Sequence, residues 1–363
     1  MTLHPQPRTS RRALLLAAAA LAALPRLAGA APARQSDAPP LVKGIYLNPT
    51  IVSDDADRRA LIDLVAATEL NAIVIDVKEE GVYVETAQPI YAEAGAVRPW
   101  FEVKPMLAAL HERDIRAVAR FVVFKDNPLA QHRPDLAIHD VTTGQPWVDD
   151  GGNMWLNPLN REVWEATVTL AEELARQGFD EIQFDYVRFP SDGDLSLLDY
   201  GQPVDNAQKI ATITDFLAFA TKRVNAAGAD VSADVFGYTL LDDDIGIGQD
   251  VRDLKDAVQI LSPMLYPSHF PDGSVNVPGR PNDFPGETIA ISMQLGAERM
   301  PTAQIRPWLQ DFTLPGMTEY FGPQVRAQID AAEAGGASGW LIWNAAGVYN
   351  TDAFLPAGAD QTP

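Results

Sequence analysis

The chain contains no cysteine, which removes disulfide frameworks, thiolate nucleophiles and cysteine-ligated metals together. Histidine is scarce as well. The five are His4, His111, His132, His139 and His269, and no two form the His-x-His pair that metal-dependent barrel hydrolases usually carry after the first strand. No G-x-S-x-G elbow is present for a serine triad. No G-x-G-x-x-G follows the first strand candidate, where the chain reads Asn48-Pro49-Thr50-Ile51, so a dinucleotide-binding open sheet is disfavoured. Asp242-Asp243-Asp244, with Gly246, Gly248 and Asp250, lacks EF-hand spacing and reads as a solvated acidic turn. Neither a metal nor a cofactor is implied. Positive charge is short too: 28 Lys and Arg stand against 49 Asp and Glu, for a net charge of −21. Such a surface repels phosphate backbones, which argues against nucleic acid as a partner and suits a neutral or amine-bearing ligand.

What is present is ample apolar material, 47% of 363 residues, enough for one large core or two modest ones. Its one N-terminal apolar run, Ala13 to Leu24, follows Arg8, Arg11 and Arg12 and precedes the small-residue patterns Ala28-Gly29-Ala30 and Ala31-Pro32-Ala33. That is the layout of an export signal over residues 1–33. The run is too short for a mature membrane span. Ser10-Arg11-Arg12-Ala13-Leu14-Leu15 resembles a twin-arginine signal, with Leu16 where a basic residue is usual. Removing residues 1–33 deletes four arginines and no acids, taking the net charge from −21 to −25. The expected destination is extracellular, periplasmic or on the cell envelope.

After a short linker, 34–41, β-type and helix-type segments alternate through residues 42–350, and 351–363 form a tail. The strand candidates are 42–47, 72–77, 116–124, 181–187, 230–237, 259–265, 305–312 and 339–343. Between them, helical periodicity appears over 55–68, 103–112, 161–177, 206–225, 251–257, weakly near 287–295, and 322–334. Continuous apolar strands such as Ala72-Ile73-Val74-Ile75 and Leu341-Ile342-Trp343 indicate a parallel sheet covered on both faces. Eight such units predict an α/β fold, a single (β/α)8 TIM barrel with long βα loops after strands 2 and 3, over 79–102 and 125–160. Those two loops are expected to wall a cleft.

Residues at the strand C-termini of a barrel share one mouth. They include Asp76 and Lys78 after strand 2, Asp185 and Arg188 after strand 4, Asp234 on strand 5, Tyr266 and His269 after strand 6, Trp308 and Asp311 with strand 7, and Trp343 and Asn344 after strand 8. A carboxylate between Phe184 and Tyr186 is costly to bury unless it is used or paired. Asp185 therefore reads either as a catalytic group or as half of an ion pair with Arg188. Glycoside hydrolysis needs two carboxyl groups about the scissile bond, and acids on neighbouring strand ends meet that need. Trp100, Trp147, Trp155, Tyr266, Trp308 and Trp343 fall near the same rim, where aromatic faces stack on sugars.

The segment Gly178-Phe179-Asp180-Glu181-Ile182-Gln183-Phe184-Asp185-Tyr186-Val187-Arg188-Phe189-Pro190 resembles a bacterial family of glycoside-hydrolase-type barrel domains of unknown function. The likeness extends from Lys43-Gly44-Ile45-Tyr46 through Ile75-Asp76-Val77-Lys78, Arg120-Phe121-Val122-Val123-Phe124-Lys125-Asp126, Ile245-Gly246-Ile247-Gly248-Gln249 and Ser262-Pro263-Met264-Leu265-Tyr266-Pro267-Ser268-His269 to Gln310-Asp311-Phe312. The resemblance implies a (β/α)8 barrel distantly akin to the alpha-amylase clan. There, a nucleophilic Asp follows strand 4, a general acid follows strand 5 and a third Asp follows strand 7, which are the positions of Asp185, Asp234 and Asp311. Gln183 stands where that clan has arginine, and Asp234 where it has glutamate.

The expectation is an exported glycoside hydrolase acting on a polysaccharide or oligosaccharide, with Asp185, Asp234 and Asp311 catalytic. Asp76, Lys78, Arg188, Tyr266, His269, Trp308, Trp343 and Asn344 are expected to bind substrate. The alternative is a non-catalytic carbohydrate-binding barrel.

Overall fold

The computed structural model describes residues 41–359. The expected leader, most of the linker and residues 360–363 lie outside them. Eight parallel strands follow in chain order: β1 Val42–Leu47, β2 Ala72–Lys78, β3 Arg116–Val122, β4 Glu181–Asp185, β5 Asp230–Phe236, β6 Ile260–Leu265, β7 Trp308–Gln310 and β8 Gly339–Trp343. Each pairs with the next, and β1 pairs with β8 in register Val42 to Gly339, which closes the sheet into a (β/α)8 barrel.

The connecting helices are α1 Asp55–Ala67, α2 Val103–His111, α3 Arg161–Gln177, α4 Asn206–Ala227, α5 Val251–Leu254, α6 Pro285–Arg299 and α7 Gly322–Ala334. Their limits follow from local chemistry. The Asn160 side chain accepts from the Glu162 amide at 2.9 Å to start α3, and Gly178, at φ 110°, ends it in the left-handed conformation. Between these caps α3 buries Val163, Trp164, Val168, Leu170 and Leu174, with Trp164 packed on Phe216 and Phe219 of α4, each burial stabilising by about 1.5–3 kcal/mol.

Two elements differ from the sequence expectation. Strand seven is not continuous over 305–312: a short piece, Gln304–Ile305, precedes β7. Pro307 lies between the two and has no N–H to give the ladder. The helix expected weakly near 287–295 is a full α6, because Pro285 at its start supplies the fixed φ that sequence periodicity does not register. The tail is not free either. Leu355 donates its amide to Glu69 at 3.0 Å, and the Phe354 ring lies parallel to Trp340.

The barrel wall sorts its residues by strand alternation. On β4, Ile182 and Phe184 face the helices as part of the main apolar core, while Glu181, Gln183 and Asp185 are buried polar residues on the other face. On β5, Val231, Ala233 and Val235 pack outward, while Ser232 and Asp234 are buried toward the axis. The axis therefore holds charge as well as a small apolar cluster of Tyr46, Val74, Val118, Tyr266, Trp308 and Leu341.

Glu181 begins β4, at the end of the barrel away from the strand C-termini. Arg306 donates to it from Nη1 at 3.0 Å and also from Nη2, Arg116 from Nε at 3.1 Å, and the Ser232 hydroxyl at 2.5 Å. Burial would raise its pKa, but the two guanidinium groups hold it down to about 2.

Candidate active site

At the opposite end, Asp185 and Asp234 stand side by side. Phe184 pairs with Ala233 between β4 and β5, so the next residue of each strand rises to the same level. Both carboxyls line one cavity of about 460 Å³, a size suited to a small ligand or a few sugar units. Asp185 and Asp234 are 5% and 2% exposed, so neither carboxyl is held mainly by solvent.

Arg120 of β3 organises the first carboxylate. It donates Nε and Nη2 to Asp185 Oδ2, at 2.9 and 2.6 Å, and Nη1 to Asp76 Oδ1 at 2.6 Å. Tyr46 donates its hydroxyl to the other Asp76 oxygen. Gln183, two residues before Asp185, donates its side-chain amide to Ser262 Oγ at 3.2 Å. An arginine still reaches Asp185, from the neighbouring strand. Burial works against the Arg120 charge, but Asp76 and Asp185 outweigh it and hold its pKa well above the usual value. For Asp76, burial outweighs Arg120 and pushes the carboxyl up to about 6.

The other Asp185 oxygen, Oδ1, accepts the amide of Tyr186 at 2.6 Å. Tyr186 has φ 50°, a left-handed backbone that bulky residues seldom adopt and that here turns the amide back onto its predecessor. Asp234 has different surroundings. Its Oδ1 accepts the indole N–H of Trp308 at 2.8 Å, and burial, followed by the charge of Asp185, holds its carboxyl well above the aspartate range. Two carboxyl groups thus share a cavity, with one paired to a cation and the other favouring its proton.

Several expected residues join them on the cavity wall: Arg188, Tyr266, His269, Trp308 and Trp343. Burial lowers the pKa of His269, which favours the neutral ring, and its Nδ1 lies 3.0 Å from the Ser268 hydroxyl. Trp308 is 1% exposed, so its contribution is the N–H on Asp234 rather than an open stacking face. Trp343 stacks on Tyr46 at 4.1 Å with Arg120 over its ring at 5.2 Å.

Four expected residues sit elsewhere. Asp311 is buried and lies off the cavity wall. Its carboxylate accepts the Asn350 backbone amide at 2.9 Å and side-chain amide at 2.5 Å, which anchors the loop after β8. Asn344 serves the same loop by donating to the Asp311 and Val348 carbonyls. Lys78 is buried against Asp126, at 2.8 Å, and the Val122 carbonyl. Asp76 stands behind Arg120. The alternative reading of Asp185, an ion pair with Arg188, is not what forms: the carboxylate pairs with Arg120.

Arg120 is the main residue that sequence reasoning missed. Its signal was an arginine inside the apolar run Ala117-Val118-Ala119-Arg120-Phe121-Val122. The cleft wall was also misassigned. It is supplied by residues after β4, β5 and β6, including Asp192, Tyr238 and Phe270, while 79–102 and 125–160 contribute no lining residue. Trp147 and Trp155 are buried in the loop after β3, and Trp100 is 44% exposed, away from the cavity.

Among known proteins, the family model for a putative glycosyl hydrolase domain matches residues 44–349. No curated protein matches the chain. Among solved structures, a hypothetical protein from Ruminiclostridium thermocellum ATCC 27405 is 34% identical, over 53% of this chain and 97% of that one, with a TM-score of 0.47. The PgaB (BpsB) glycoside hydrolase domain from Bordetella bronchiseptica has a TM-score of 0.62 at 14% identity, covering 84% of this chain and 94% of that one. The alpha-galactosidase TtGalA from Thermus thermophilus, in complex with p-nitrophenyl alpha-D-galactopyranoside, has a TM-score of 0.53 at 16% identity, covering 86% and 59%. At such identities the likeness to the last two is one of fold.

Proposed function

The chain belongs to that glycosyl hydrolase domain family, and from this premise we propose that it cleaves a glycosidic bond of a polysaccharide with Asp185 as nucleophile and Asp234 as acid and base. The observation that carries the reading is the unequal carboxyl pair in one cavity. A glycosidase needs one carboxylate to attack or to activate water and one carboxylic acid to protonate the leaving oxygen. Environments that push two neighbouring carboxyls apart in pKa supply that division.

The atoms follow from the hydrogen bonds. Asp185 Oδ2 already accepts two N–H groups from Arg120, whereas Oδ1 accepts one, from Tyr186. A carboxylate oxygen offers about two lone-pair sites, so Oδ1 keeps one for the anomeric carbon. On Asp234, Oδ1 accepts from Trp308, which leaves the proton to Oδ2. In the first step Asp185 Oδ1 bonds to the anomeric carbon as the glycosidic C–O bond breaks, and the Asp234 proton passes to the departing oxygen. In the second, water attacks the glycosyl ester and gives its proton back to Asp234, releasing Asp185.

The full chain is incubated with a panel of polysaccharides beside Asp185→Asn, and reducing ends are counted. Release by the parent that is lost in the variant supports the reading. If neither releases sugar while both bind a polysaccharide, the non-catalytic carbohydrate-binding alternative replaces it. Proton NMR of the first-formed anomer tests the double displacement, which predicts retention; inversion would recast Asp185 as a base acting through water. Export rests on the arginine-led apolar run before Ala33. N-terminal sequencing of the secreted protein tests it, with cleavage after Ala30 or Ala33 expected and an intact Met1 in a cytoplasmic fraction speaking against it.

A further inference from the structure

Arg188 stands apart from the other deeply buried guanidinium groups. Arg120 pairs with Asp76 and Asp185, and Arg306 pairs with Glu181. Arg188 is 4% exposed, yet among the described residues no carboxylate lies within ion-pair distance of it. Its Nη1 donates to the Phe189 carbonyl at 3.0 Å and to Ser191 Oγ at 3.1 Å. Nε and Nη2 have no acceptor among the described residues. They are not fully enclosed, and Arg188 lines the cavity that holds Asp185 and Asp234.

Three rings surround the group. Its central carbon lies 4.8 Å from the Trp155 ring centroid, 5.2 Å from Tyr186 and 4.7 Å from Phe236. Cation–π contact offsets part of the desolvation of a buried cation, but not all: burial lowers the Arg188 pKa, against the pull of Tyr186, Asp185, Asp192 and Asp149. The rings and the two Nη1 bonds fix the plane of the fork, so its free edge presents two parallel N–H groups. That edge matches a carboxylate bidentately.

The geometry points to a carboxylate on the substrate: the sugar bound beside Asp185 and Asp234 is a uronic-acid residue, or an equivalent acidic sugar, whose carboxylate seats on Nε and Nη2 of Arg188. This deepens the glycosidase reading and rests on it. It also reverses the preference for neutral or amine-bearing ligands that the net charge of −21 suggested. Surface charge acts through a screened medium over about 8–10 Å, whereas Arg188 acts at contact in a cavity. Nearby, Asp185 is already matched by Arg120, and Asp192 accepts the Ser191 hydroxyl at 2.7 Å.

The test is equilibrium binding to the full chain and requires no turnover, so it can fail while glycosidase activity stands, and the reverse. D-glucuronate, D-galacturonate and D-mannuronate are each titrated beside their own methyl esters, which keep the sugar and remove the charge, and beside glucose 6-sulfate. Binding is read by saturation-transfer NMR. At least one uronate should bind ten-fold or more tightly than its ester, and Arg188→Gln should abolish that preference while Arg188→Lys keeps part of it. No preference in any of the three pairs overturns the assignment, whatever the variants do. A preference that survives in folded Arg188→Gln also overturns it, and tighter binding of the sulfate than of every uronate replaces the carboxylate with a sulfate ester.

Discussion

Replacing Asp234 by Asn separates a catalytic acid from a structural one, because the two roles predict opposite changes in stability. Asn keeps an Oδ1 to accept the Trp308 N–H, which now stands at 2.8 Å, and it removes the ionisable proton. In the fold the Asp234 carboxyl lies above its ordinary 3.8 because of burial, then because of Asp185. A raised folded-state pKa means that the native chain holds a proton the unfolded chain releases. The stabilisation this confers is complete below pH 3.8 and is lost as pH rises through the folded value. Asn does not titrate and keeps it. The variant should therefore overtake the parent by about 1.4 kcal/mol for each pH unit above 3.8, until Asp234 loses its proton in the fold. Hydrolysis should fall by about 10²–10⁴-fold, the contribution of a positioned general acid. Urea unfolding at several pH values gives the first quantity and kcat on the best glycan of the panel gives the second. A variant less stable than the parent at every pH, or one that retains full kcat, refutes the assignment.

Other outcomes follow from the same network. Arg120→Met strands Asp76 and Asp185 without their cation and should cost about 3–5 kcal/mol in chemical unfolding, the range for breaking a buried pair; a loss below about 1 kcal/mol would mean that the carboxyls find other partners. Trp308→Phe removes a hydrogen bond that lowers the Asp234 pKa, so the alkaline limb of kcat/KM should move to higher pH, and a downward move would contradict the geometry. Asp311→Ala releases the Asn350 anchor and should lower stability by about 1–3 kcal/mol while leaving kcat near that of the parent; a collapse of kcat in a well-folded variant would return Asp311 to the catalytic set.

The barrel was legible because its strands and helices are written locally. Caps such as Asn160 and Gly178 and the eight apolar runs need no knowledge of the closed sheet. The split before β7 was missed although Pro307 was in view, since a run of suitable side chains masked the one missing donor. Strand ends carry the candidate site only so far: they place Asp185 and Asp234 on the wall of one cavity. Asp311 looked equivalent to them in sequence, and only the path of the chain to Asn350 shows that its oxygens are already occupied. Arg120 carries only a faint local signal, a charge within an apolar run, because its partners are 44 residues before it and 65 after it.

The Asp185 and Asp234 carboxyls stand on strands β4 and β5, while much of the remaining cavity wall comes from the segments after β4, β5 and β6. Those two parts answer to different pressures. On the glycosidase reading, exchanges at Tyr238, His269 and Phe270 would alter which sugars are admitted while leaving in place the Arg120 bonds to Asp185 and the Trp308 bond to Asp234. A library randomised at Tyr238, His269 and Phe270 is therefore the place to look for altered sugar binding.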